Sequence, residues 1–173
     1  MGFLSESLSD HHDLDSFDSD REELNHWLTR EARRAHHAGT ARVTVWNEES
    51  TGTVVGYYAI TPTNVAPEGL SRKARAGLSG PIPGYLIAKL ALSQHLMGSG
   101  LGGQLLLDAL ETVARAADLA GGRLVVVDAI DSRAHGFYAR FGFTPIQAST
   151  RLFVRIDAVI ASLAQADHGR HAR

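Results

Sequence analysis

Cysteine is absent from this chain, which excludes disulfides, thiolate metal sites and cysteine nucleophiles together. Long apolar runs are absent as well. No stretch approaches the roughly 20 residues needed to cross a bilayer, and the start lacks the basic, apolar and small-residue succession of a secretory signal. The expected location is therefore the cytoplasm, without a membrane partner. An excess of one charge is also missing: 17 Lys and Arg against 19 Asp and Glu leave a formal net charge of −2, which argues neither for nor against a polyanionic partner. What is present is an ordinary globular composition. With 173 residues, 44% of them hydrophobic, the chain is long enough for one core of its own. We find no internal repeat and no linker, and expect one domain over residues 1–165 followed by a flexible polar tail at 166–173.

Charge is uneven along the chain. Asp10, Asp13, Asp15, Asp18, Asp20, Glu22 and Glu23 make the beginning acidic, whereas basic residues gather at Arg30, Arg33, Arg34 and Arg42 and again at Arg72, Lys73 and Arg75. Such clusters are either solvated surface or the footprint of a nucleic-acid partner.

Periodicity orders the elements. A helix is expected from Glu22 to His37, capped by Asp20, with Leu24, Trp27, Leu28 and Ala35 on its buried stripe and Gly39 after its end. Arg42–Trp46 and Val54–Ile60 read as strands of a hairpin turning near Gly52, and Pro62–Pro83 as a loop. Tyr85–Leu92 is apolar almost throughout, as a strand covered on both faces should be. Leu101, Leu105, Leu106, Ala109, Leu110, Val113 and Ala117 mark a long amphipathic helix ended by Gly121-Gly122. A short strand at Leu124–Val127, a helix capped by Asp131 and ending at Gly142, and a strand at Leu152–Ile156 complete an α/β (α+β) arrangement.

The glycine cluster Met97-Gly-Ser-Gly-Leu-Gly-Gly103 sits between a strand and the longest helix. Glycines let backbone N–H groups approach a ligand, and at a helix start those donors and the macrodipole favour a phosphate. No Gly-Lys-Ser/Thr ending makes it a P-loop, and it does not follow the first strand of a dinucleotide-binding unit. The order strand, turn, helix resembles the pyrophosphate turn of the GCN5-related (GNAT) acetyltransferases, with Met97, Gly100 and Gly102 at its marked positions. Met97 departs from the usual Gln or Arg. Downstream, Asp131, Ala134, Tyr138, Gly142 and Phe143 resemble a second segment of that family, with Asp131 where Asn is usual. Residues 131, 134 and 138 are spaced to share one helical face.

Across nearly the whole chain there is a further resemblance to the GNAT toxins of bacterial toxin–antitoxin pairs. It rests on Phe17-Asp18-Ser19-Asp20, Glu23-Leu24, Trp27-Leu28, Gly56-Tyr57-Tyr58 and Lys89-Leu90-Ala91-Leu92; Ser19 replaces a commoner Cys and Ser93 a commoner Asp. The resemblance implies a mixed central sheet with splayed fourth and fifth strands, acetyl-CoA as co-substrate and no metal. It implies acetylation of the α-amino group of an aminoacyl-tRNA, inhibited translation, a ribbon-helix-helix antitoxin and a homodimer. It places Leu90, Ala91 and Leu92 along the pantetheine, Met97, Gly98, Ser99, Gly100, Leu101, Gly102 and Gly103 around the pyrophosphate, and Asp131, Ala134 and Phe137 beside the cofactor. Tyr138 becomes the acid that protonates the departing thiolate, while Arg33, Arg34, Lys89, Arg72, Lys73 and Arg75 face tRNA.

No carboxylate stands at the end of the fourth strand, and Glu68 and Glu111 have no motif around them. An α-amine, with a reference pKa of about 7.7–8.0 against about 10.4 for lysine, needs less help from a base. Two other readings stay open: a GNAT enzyme for a small-molecule or protein amine, and a non-catalytic acyl-CoA-binding module. The adjacent pairs His11-His12 and His36-His37 are expected to diverge and form no metal-ligand set. Of Tyr57 and Tyr58, one is expected in the core and the other along the acceptor cleft.

Overall fold

The computed structural model describes residues 2–171. Its contacts divide the chain into two compact units, the first running to Thr61 and adding Ile87–Ala109, the second comprising Pro62–Leu86 and the chain from Leu110 onward. The strands are β1 (Phe3–Ser7), β2 (Arg42–Glu48), β3 (Val54–Val65), β4 (Ile82–Leu92), β5 (Leu124–Asp128), β6 (Thr144–Pro145) and β7 (Arg151–Arg155). The helices are α1 (Glu22–Arg30), α2 (Ala32–Ala38), α3 (Leu101–Ala120), α4 (Ser132–Arg140) and α5 (Ile156–His171). β3, β4 and α3 each run through both units.

In the first unit the strand order is β1-β2-β3-β4. β1 pairs antiparallel with β2 (Phe3 opposite Glu48), and β2 with β3 (Arg42 opposite Ile60), with a bulge between Trp46 and Asn47. Alternation explains the core: Val43, Val45, Tyr57 and Ala59 are buried and meet Leu28, Ala32 and Phe17 in one cluster. In the second unit the order is β3-β4-β5-β7-β6. β5 pairs antiparallel with β7, and the start of β4 lies beside the start of β5, where Arg123 N–H donates to the Pro83 carbonyl at 2.8 Å. Val65, Leu70, Ile82, Leu124, Val126 and Ile146 close its core. On α3, Leu105, Leu106, Ala109, Leu110 and Val113 are all buried, and each leucine contributes about 1.5–3 kcal/mol by leaving water.

Several expected boundaries move. The helix expected over 22–37 divides at Glu31 into α1 and α2. Thr29 explains a bend there: its hydroxyl donates to the carbonyls of Asn25 and His26 at 3.1 and 3.2 Å, competing with the helical ladder. The cap position is Arg21 rather than Asp20, because the chain stays extended for one residue more. β3 continues past Pro62 to Val65, so the loop is shorter than expected. Ile156 opens α5 instead of ending a strand, and the expected tail from 166 is helical as far as His171, continuing a helix begun at Ile156. The His171 side chain and residues 172–173 lie outside the described residues.

Candidate active site

In the first unit, Lys89–Leu92 finish β4, Ser93 is buried, a 3₁₀ turn covers Gln94–Leu96, and the glycine turn leads into α3. Gly98 and Gly100 both take left-handed conformations (φ 76° and 82°), which a side chain strains to adopt. A Cβ built on either meets nothing within 4 Å, so the turn faces open space. The Ser99 hydroxyl donates to the Leu96 carbonyl, tightening the approach. Leu101, Gly102 and Gly103 form the first turn of α3, which carries no acidic residue. The N–H groups at a helix start and the positive end of a 20-residue helix dipole favour an anion, and no carboxylate on the turn competes for them.

The stretch before the turn is held from the N-terminal segment. Gln94 N–H donates to the Asp18 carbonyl (2.9 Å), Gln94 Nε2 to the Ser19 carbonyl (3.0 Å), and Ser93 N–H to the Val55 carbonyl (2.8 Å). Behind them, Asn25 Oδ1 accepts from both the backbone N–H and the hydroxyl of Ser19 (2.8 and 2.7 Å), and Asn25 Nδ2 donates to Asp18 (3.1 Å). Sequence reasoning missed Asn25 and Gln94. Their partners are 6 and 75 residues away, and only the Asp18-Ser19 motif hinted at the network.

In the second unit, α4 carries the other predicted site residues. Asp131 precedes the helix in extended conformation and accepts the Ala134 N–H at 2.8 Å. It caps the helix, as expected, and stands one residue before the face shared by Ala134 and Tyr138. Tyr138 is buried, 5.2 Å from the Phe137 ring and 5.5 Å from the Phe143 ring, so its phenol is held by packing on both sides. Phe137 is half-buried beneath the Arg140 guanidinium, 5.9 Å from its ring centre.

The basic candidates divide in character. Arg33 donates to the His12 carbonyl, and its Nε is buried without a partner, which marks a structural tie. Arg34 pairs with Glu31. Lys89 lies over the Trp27 ring, 5.7 Å from its centre, and Trp27 stacks on Tyr57 at 6.0 Å. In the second unit Arg72 and Lys73 are exposed, and Arg75 is half-buried with its Nε unpartnered. The carbonyls of Lys73 and Ala74 fix that loop by accepting from Arg123 (2.8 and 2.7 Å). Glu68 and Glu111 are exposed.

Two expectations fail. Both Tyr57 and Tyr58 are in the core: Tyr57 donates to the Leu24 carbonyl at 2.8 Å, and burial pushes its phenol well above the usual range. His11 and His12 do not diverge. They sit in a turn rather than on a helix or strand, and their ring centres lie 4.2 Å apart, the planes tilted by 33°.

A model of the acetyltransferase (GNAT) family matches residues 5–143. Over 136 residues the chain is 35% identical to the tRNA-acetylating toxin of Mycobacterium tuberculosis, an alignment covering 79% of this chain and 81% of that one. Among solved structures, AtaT complexed with acetyl-methionyl-tRNAfMet shares the fold with a TM-score of 0.86 at 26% identity, over 94% of this chain and 99% of that one. A tyrosine-to-phenylalanine variant of AtaT, bound to the C-terminus of the antitoxin AtaR and to acetyl-CoA, matches with a TM-score of 0.76 at 27% identity, over 92% and 96% of the two chains.

Proposed function

Because the chain belongs to the acetyltransferase (GNAT) family, we propose that it is an acetyl-CoA-dependent N-acetyltransferase acting on the α-amino group of an aminoacyl-tRNA, a toxin that stops translation. The observation that carries the reading is the pair of left-handed glycines, Gly98 and Gly100, opening onto the bare N-terminus of α3. That turn fits a diphosphate: it offers main-chain donors, open space and no competing carboxylate. A tRNA-acetylating relative and related toxins bound to acetyl-CoA or acetylated tRNA support the choice of substrates.

Acetyl-CoA supplies the acetyl group as a thioester. Met97 through Gly103 hold the diphosphate by backbone N–H groups. Leu90, Ala91 and Leu92, at the end of β4, hold the pantetheine arm, and one of their amides polarises the acetyl carbonyl. Asp131, through its cap on Ala134, sets the start of α4, and Phe137 packs beside the cofactor. Tyr138, fixed between Phe137 and Phe143, gives its proton to the departing sulfur. An α-amine requires little base, which suits a site without a motif carboxylate. Arg34, Lys89, Arg72 and Lys73 meet tRNA phosphates, while Arg33 ties to the His12 carbonyl and Arg75 is half-buried. The chain works in the cytoplasm as a homodimer and is neutralised by an antitoxin of ribbon-helix-helix type.

Incubation with labelled acetyl-CoA and total charged tRNA tests the reading. Label is expected in N-acetyl-aminoacyl-tRNA. Label found only in polyamines or peptides overturns the tRNA substrate, and none anywhere overturns the enzyme.

A further inference from the structure

Outside the acetyltransferase machinery, the first unit brings together a set of donors that catalysis does not use. We propose that Glu6, His11 and His12 bind a divalent transition-metal ion of the zinc class and tie β1 to the turn that follows it.

One ligand atom from each of the three lies within 4.8 Å of the others. The tightest pair, His12 Nε2 and Glu6 Oε2, is 3.0 Å apart. Donors around a tetrahedral ion with bonds of about 2.0–2.1 Å stand about 3.3 Å from one another, so this pair is already at ligand spacing, and His11 closes on it from within 4.8 Å. Imidazole and carboxylate donors together suit zinc-like ions rather than magnesium, which prefers oxygen alone.

The backbone makes the cluster. Glu6 lies opposite Val45 across the β1–β2 ladder, which puts Asn47, two residues on, on the same face. Asn47 Nδ2 donates to Glu6 Oε2 at 2.7 Å, while Asn47 Oδ1 is buried without a hydrogen-bond partner. That carbonyl is an unused donor for the ion, reached by rotating the terminal amide. Beside the group is a hollow of about 170 Å³ lined also by Glu48 and Glu49, which adds negative potential.

Ser9 orients both rings. Its hydroxyl is 2.5 Å from His11 Nδ1 and 3.1 Å from His12 Nδ1. Histidines that hold a metal through one nitrogen commonly donate the other N–H to an acceptor of this kind. Without metal, Ser9 N–H donates to His12 Nδ1 (3.1 Å), so the ring proton sits on Nε2 and points at Glu6. The ion takes that proton's place between Nε2 and Oε2, and the proton moves to Nδ1, which gives up the hydrogen bond from Ser9 N–H and donates instead to the Ser9 hydroxyl.

The test is calorimetric titration of the metal-free full chain with Zn²⁺, in a background with His168 and His171 replaced by alanine to remove the C-terminal histidines. One ion per chain is expected, with a higher melting temperature. His11 is exposed, so His11→Ala leaves the fold intact. It should weaken binding by about tenfold or more and abolish the thermal shift, and Ser9→Ala should weaken binding less. No heat of binding, binding unchanged in His11→Ala, or equal binding of Mg²⁺ would each overturn the site.

Discussion

Replacing Gly100 with alanine changes backbone conformation and almost nothing else. No atom lies within 4 Å of the added Cβ, so the methyl group meets open space. At φ 82°, however, an L-residue costs about 1–2 kcal/mol. The turn is exposed, and the cheapest response is for it to relax out of the left-handed conformation, swinging its N–H groups away from the axis of α3. Acetyl-CoA must then restore the original turn, and the strain is subtracted from binding. At 1.4 kcal/mol per factor of ten, affinity should fall about 5- to 30-fold.

Gly39 supplies the matched control. It too has positive φ (74°), no atom within 4 Å of an added Cβ, and a place in the first unit, but it ends α2. Gly39→Ala should cost similar stability in thermal unfolding and leave acetyl-CoA affinity unchanged in calorimetry. If Gly100→Ala binds acetyl-CoA as tightly as the parent, or if both variants weaken it equally, the turn is not the diphosphate site.

Tyr138→Phe keeps the packing against Phe137 and Phe143, so acetyl-CoA affinity should hold while turnover of charged tRNA drops by about 10²-fold or more; equal turnover removes Tyr138 as the acid. His36 is held below the ordinary imidazole range, first by partial burial and then by Arg42 and His37, and its Nδ1 accepts the Val43 N–H at 3.0 Å. The unfolded ring takes up a proton near pH about 6.5 while the folded ring resists, so stability is complete above that pH and declines as the pH falls below it. His36→Asn, which keeps an acceptor but does not titrate, should flatten melting temperature against pH between about 5 and 7; an unchanged slope assigns the loss elsewhere. Asn25→Ala strips the buried Ser19 N–H of its acceptor, while the Ser19 hydroxyl keeps the Arg21 carbonyl at 3.1 Å, and should cost about 1–3 kcal/mol in denaturant unfolding. A loss below about 0.5 kcal/mol would mean that water replaces the amide.

What was legible in the sequence is whatever backbone conformation dictates locally. Gly98 and Gly100 announce a turn because only glycine enters those conformations freely; Asp131 announces a helix start because its carboxylate reaches the Ala134 N–H three residues on. The α3 stripe was legible for the same reason, its period being set within the helix itself. Asn25, Gln94 and Arg33 were not, because each is explained by a partner whose nearness depends on the finished fold. Arg33 and His12 are 21 residues apart. The helix break at Glu31 falls between these cases: Thr29 carried the cause, but a hydroxyl that turns back on its own helix looks in sequence like any exposed threonine.

The same distinction bears on the basic residues. A cluster of arginines has one appearance in sequence whether its guanidiniums face water or carbonyls. Arg33 spends its charge on the His12 carbonyl, and Arg75 buries its Nε, so reversing either injures the fold before it tests any nucleic-acid contact. Lys89 also lies over the Trp27 face, so reversing its charge costs that contact as well. Exposed Arg72 and Lys73 remain as positions where charge can be reversed at little structural cost, because what holds their loop is the backbone carbonyls of Lys73 and Ala74, which any side chain leaves in place. A phosphate contact there must show as a shallower dependence of tRNA binding on salt, with acetyl-CoA binding and melting temperature unmoved.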